Sequence, residues 1–116
     1  MVQAFLDWFP LFRDNLPGQA RRQIAADFKR ASPQILSAAS RIPDLTPELS
    51  KIHIPSLVVW SGEDLTLNPK SFPELVNRLP DAASYYIPHC GHQTHIIKSE
   101  KVRAETINFL KQHRMN

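Results

Sequence analysis

The sequence predicts an α/β chain, in which a helical N-terminal segment precedes a strand–helix–strand–helix unit of a parallel sheet. Three observations carry that prediction. Ser56-Leu57-Val58-Val59-Trp60 is a short, continuous apolar run rich in β-branched residues, bounded by Pro55 and Ser61-Gly62. Such a run fits a strand covered on both faces, as in parallel sheets. A second strand-like run, Ala83 to Ile87, stops at Pro88, and apolar residues recur at helical spacing between the two runs and again after the second. Strands alternating with helices build a parallel sheet. A soft boundary near residues 43–50 divides the 116 residues into a helical segment, 1–44, and a βαβα part, 45–116.

In chain order, residues 2–16 hold a dense apolar patch that includes Phe5, Trp8, Phe9 and Phe12, interrupted by Pro10. It reads as helical turns packed on something large. Pro17-Gly18 predicts a turn, and Ile24 and Phe28 share one face of a helix over 19–30. Ser32-Pro33 is an N-cap followed by proline at the first helical position, so a second helix should run to about Ser40. Thr46-Pro47-Glu48-Leu49 marks a one-turn start. Ser71-Phe72-Pro73-Glu74 has capping-box spacing, and Phe72, Leu75, Val76 and Leu79 then line one helical face. The last helix should begin near Ser99 with Val102, Thr106, Phe109 and Leu110 facing inward.

Composition narrows the function classes. A hydrophobic share of 42% and a charged share of 22% suit a folded chain and not a disordered one. The net charge of +3 is spread along the chain, and the one local cluster, Arg21, Arg22, Lys29 and Arg30, reads as a solvated helix face. Neither a nucleic acid nor a membrane is therefore an expected partner. A single cysteine, Cys90, rules out an intrachain disulfide. No leader-like segment and no apolar run of about 20 residues are present, so the expected location is the cytoplasm.

Functional groups in open parallel sheets gather beyond the carboxyl ends of the strands. Ser61-Gly62-Glu63-Asp64 follows the first strand, and Pro88-His89-Cys90-Gly91-His92 follows the second. A carboxylate and an imidazole at neighbouring strand ends can pair, which fixes the imidazole tautomer and stabilises its protonated form.

Pro55 to Asp64 followed by Pro69 resembles the α/β-hydrolase segment that ends in the acid of the catalytic triad. Tyr86-Ile87-Pro88-His89-Cys90-Gly91-His92, followed by a helix ending Asn108-Phe109-Leu110, resembles the segment that presents its histidine. The resemblance covers about residues 45–113, and residues 1–44 resemble the end of that family's helical lid. It implies a partial α/β-hydrolase fold, with Asp64 as the acid and His92 as the general base. Glu63 is then a neighbour exposed in the turn. Asp64 alone would read as a turn cap and His92 as an ordinary loop histidine; the two motifs together favour the triad.

The sequence departs from that family in lacking a Gly-x-Ser-x-Gly elbow. Gly18, Gly62 and Gly91 are its three glycines, and no two bracket a serine at that spacing. The resemblance thus implies the C-terminal part of a hydrolase of an ester, amide or related small-molecule bond. This chain alone would be inactive and would need no cofactor and no metal. Its expected partners are a small-molecule substrate in the complete enzyme, and a missing N-terminal half or another protein. The alternative is a non-catalytic binding module that docks through its apolar segment and the open edge of the strand at 56–60.

Three rival readings concern the same residues. His89, Cys90, His92 and His95 could ligate a soft divalent metal, although four ligands from seven residues would strain one loop. Cys90 could be a nucleophile beside His92, but a buried, inert thiol is the commoner case. The aromatic patch near the N-terminus could line a substrate pocket, a partner surface or plain core.

Overall fold

The computed structural model of the protein describes residues 16–113. The aromatic patch Phe5, Trp8, Phe9 and Phe12 lies outside the described residues. Two helices come first, α1 (Gly18–Arg30) and α2 (Gln34–Ala39), then a 3-10 turn, Thr46–Lys51. Strand β1 (Ser56–Trp60), helix α3 (Ser71–Arg78), strand β2 (Ala82–Tyr86), the short helix α4 (Thr94–Ile97) and helix α5 (Ser99–Gln112) complete the chain.

Among the described residues the expected order of elements is present, with local differences. Pro17 acts as the lead-in to α1 rather than as part of a separate turn, and its carbonyl accepts the Arg21 N–H at 3.0 Å. Ser32 does cap α2, its Oγ accepting the Gln34 N–H at 3.3 Å. The capping box at Ser71 does not form. Ser71 already lies inside α3 and its hydroxyl donates to the Asn68 carbonyl, while Glu74 turns one helical turn onward to Arg78 at 2.8 Å. Helix α4 carries no periodic apolar pattern and was not expected.

β1 and β2 pair in parallel, in the register Ser56 with Ala82 through Trp60 with Tyr86. The ladder runs on past β2, because the Ile87 N–H donates to the Trp60 carbonyl at 2.8 Å. All five residues of β1 are half-buried, short of the full burial on both faces that the apolar run predicts, and β2 leaves Ala83, Ser84 and Tyr86 exposed. Trp60 ties the layers together. It stacks on Phe72 of α3 with ring centroids 5.8 Å apart, meets the edge of Tyr86 at 4.9 Å, and donates from Nε1 to Ser84 Oγ at 3.0 Å.

The core is thin. Among the described residues, the buried apolar side chains are Leu16, Ile87 and Cys90, and α1 buries none of its residues. Helix α5 shows the consequence. Val102 and Phe109 are half-buried, but Thr106 is exposed and Leu110 is 58% exposed. The helical period puts Leu110 in the apolar stripe, but the two-strand sheet supplies too little surface to cover it. Ile35, Ile42, Ile54 and Leu65 are likewise more than half exposed.

Candidate active site

Parallel pairing in this register sets the carboxyl ends of β1 and β2 side by side, so the loops that follow leave the sheet at the same end. The loop after β1 turns on Asp64. Asp64 Oδ1 accepts the N–H groups of Thr66 at 2.7 Å and Leu67 at 2.9 Å, so one carboxylate oxygen is committed to its own loop. The turn-capping role and the paired role of this residue thus coexist on different oxygens. Asp64 Oδ2 faces the other loop and meets His92 Nδ1 at 2.8 Å. The two predicted site residues are brought together, with the Asp64 side chain 4% exposed and that of His92 30% exposed.

This geometry defines the chemistry available. An ionised carboxylate accepts only, so His92 carries its proton on Nδ1 and keeps Nε2 as the ring atom able to take one. Burial acts to raise the Asp64 carboxyl, but the hydrogen bond from His92, the Leu67 and Thr66 N–H groups and the His92 charge outweigh it. The carboxyl is held below its ordinary value.

A stability prediction follows from that direction. The folded carboxyl titrates below the unfolded one, so Asp64 adds stability above the usual Asp range near pH ~4. That contribution disappears as the pH falls through the folded value. Urea midpoints taken at about pH 6 and about pH 3 should therefore fall further for the natural sequence than for Asp64→Asn. Asp27 and Asp44, held low by hydrogen bonds from Arg30 and Thr46, contribute equally to both proteins and set the common background. Parallel loss in the two proteins would rule out a stabilising Asp64.

Two features of the site go beyond what the sequence predicts. Glu63 is not only an exposed neighbour: its Oε1 lies 3.1 Å from His89 Nδ1, a second carboxylate–imidazole pair beside the first. His89 adopts a positive φ of 52°, a conformation in which non-glycine residues are uncommon. The second feature is Ser61, which is 1% exposed and donates its hydroxyl to the Cys90 carbonyl. The signal available in the sequence was spacing: residues 61, 63 and 64 face residues 90, 89 and 92 across two loops that parallel strands hold together.

The rival chemistries fare differently. Among the described residues, no three His, Cys, Asp or Glu side chains converge to hold a metal ion. His89 and His92 turn to different carboxylates, Cys90 is buried at 3% exposure and His95 is exposed on α4. Among the described residues, no helix is long and apolar enough to cross a membrane.

No protein-family model matches the sequence. The chain is 29% identical over 77 residues to 2-hydroxy-6-oxo-6-phenylhexa-2,4-dienoate hydrolase of Burkholderia cepacia, a match covering 63% of this chain and 27% of that protein. It is 37% identical over 60 residues to bifunctional epoxide hydrolase 2 of Sus scrofa, covering 52% of this chain and 11% of that protein. Among solved structures, MenH from S. aureus superposes with a TM-score of 0.73 at 25% identity, over 96% of this chain and 44% of that chain. A membrane phospholipase A described as a bacterial virulence factor gives the same TM-score of 0.73 at 26% identity, over 96% and 37%. The hydrolase names of the sequence relatives agree with the parallel pair and its flanking helices: the chain shares the fold of the α/β-hydrolases and spans less than half the length of these relatives.

Proposed function

We propose that Asp64 and His92 are the acid and the general base of a serine-type hydrolase acting on an ester, amide or related small-molecule bond, with the nucleophile supplied from outside this sequence. The observation that carries the reading is the 2.8 Å contact between Asp64 Oδ2 and His92 Nδ1 at the carboxyl end of a parallel pair. In the assembled site, His92 Nε2 takes the proton of the attacking hydroxyl, and Asp64 stabilises the imidazolium that forms. The same imidazolium returns the proton to the leaving group. This chemistry draws on no metal or cofactor. The partners are a small-molecule substrate and the protein segment bearing the nucleophile; nucleic acid and membrane are not among them, and the setting is cytoplasmic. The segment at 1–44 serves as a lid and 45–116 as the catalytic part.

The thin core supports an assembly. Exposed Ile54, Leu65 and Leu110 and the open edge of β1 are surfaces that a further part of the fold would cover. The test is a chimera in which this chain replaces the matched segment of the Burkholderia cepacia hydrolase. The chain alone should show no turnover of a chromogenic ester above the buffer rate, and the chimera should turn it over. Turnover by the chain alone, abolished by His92→Ala, would contradict the claim that it lacks a nucleophile. A chimera that folds, binds ester and stays silent would favour the binding module instead.

A further inference from the structure

We propose that Ser61 is a positioning residue whose buried hydroxyl latches the histidine loop to the acid loop and so keeps His92 within reach of Asp64. This inference rests on the acid–base reading of that pair and adds the device that holds it.

The backbone ladder between β1 and β2 ends where Ile87 N–H meets the Trp60 carbonyl. Beyond that point the loops must be held by side chains. Ser61 is the first residue past the ladder, and its Oγ touches the backbone of both loops. It donates to the Cys90 carbonyl, 29 residues away in sequence, and accepts the Glu63 N–H at 3.3 Å. Glu63 precedes Asp64, and Cys90 stands two residues before His92. One hydroxyl therefore fixes the approach of both partners.

Two further links span the same gap, Glu63 to His89 and Asp64 to His92. Glu63 and His89 are largely exposed, with side chains 55% and 89% open to solvent, and exposed ion pairs are weak. Asp64 and His92 are the pair to be positioned. Ser61, at 1% exposure, makes its bond where water cannot compete. It is also neutral, so the latch stays closed whatever the charge of His92 during a proton transfer.

The path of the histidine loop needs such a hold. His89 stands at φ 52°, and Cys90 immediately after it is the residue whose carbonyl Ser61 grips. A side chain in the left-handed region is retained only where its surroundings enforce it. Without the hydroxyl, His89 can relax toward ordinary φ, which swings the following residues. The Gly62 position shows how closely this turn is packed: a β-carbon there would lie 3.1 Å from the Tyr86 hydroxyl.

The test uses proton and nitrogen NMR of the intact chain, reading the His92 Nδ1–H resonance held by Asp64. The natural sequence should show it far downfield, and Glu63→Gln should keep it. Ser61→Ala should lose it while the far-ultraviolet dichroism is retained. In the active chimera, Ser61→Ala should lower kcat by on the order of 100-fold with KM unchanged, the scale of an ångström-sized misplacement. If Ser61→Ala does not fold, Ser61→Cys serves. Its weaker, longer S–H bond should reduce the resonance, and full intensity would overturn the latch. A resonance kept at full intensity in folded Ser61→Ala, or lost in Glu63→Gln, also overturns it while leaving the Asp64–His92 pair standing. Absence of the resonance from the natural sequence would instead overturn the pair itself.

Discussion

Asp64→Asn, introduced into the chimera that supplies a nucleophile, is expected to lower kcat by on the order of 10⁴-fold, with KM little changed. The structure fixes the reason. Oδ1 of Asp64 accepts two backbone N–H groups, from Thr66 and Leu67. In the asparagine variant those donors hold the carbonyl oxygen at that position, because an amide N–H₂ cannot accept them. The amide nitrogen is thereby turned toward His92. His92 Nδ1 must then accept, which moves the imidazole proton to Nε2. Under the general-base role proposed for His92, the nitrogen that takes the nucleophile's proton is then already protonated. Side-chain volume, burial and the loop anchor are all conserved, so the loss is one of tautomer and charge. Steady-state kinetics with the chromogenic ester measures it, and a loss smaller than tenfold would remove Asp64 from the mechanism.

Ile87→Ala should have the largest effect on stability, about 2–5 kcal/mol. Ile87 is 1% exposed, and it sits where the ladder ends and the histidine loop begins. In a large protein such a loss is survivable. Here the buried apolar set among the described residues is Leu16, Ile87 and Cys90, and small domains have only a few kcal/mol to lose. Urea unfolding of the variant should begin without a folded baseline, and the dispersed amide spectrum should collapse. Leu110→Ala is the control. At 58% exposure it should change stability by no more than about 0.5 kcal/mol, although its helical period makes it a core position. Equal losses at the two positions would mean that α5 buries its stripe more deeply than the geometry indicates.

The contrast between Ile87 and Leu110 shows what periodicity can and cannot say. A stripe at helical spacing tells which residues share a face, but burial needs an opposing surface. The pattern on α3 met one: Phe72, Leu75, Val76 and Leu79 are all half-buried, with Phe72 against Trp60. The stripe on α5 met one only in part.

What the sequence determined by itself was local: a β-branched run between Pro55 and Gly62, a second run closed by Pro88, a helix between them, and an acid and a histidine just past the two strand ends. Those features fixed a parallel pair and brought two carboxylates and two imidazoles to one end of it. The family resemblance singled out Asp64 and His92, but spacing alone left open which carboxylate meets which imidazole, and the tertiary structure decided it. Glu63 takes His89 and Asp64 takes His92 because of the strand register, the left-handed turn at His89 and the burial of the Ser61 hydroxyl between the loops. Propensity and spacing act over a few residues along the chain. The pairing of side chains 26 and 28 residues apart depends on backbone paths that become defined only when both loops are in place.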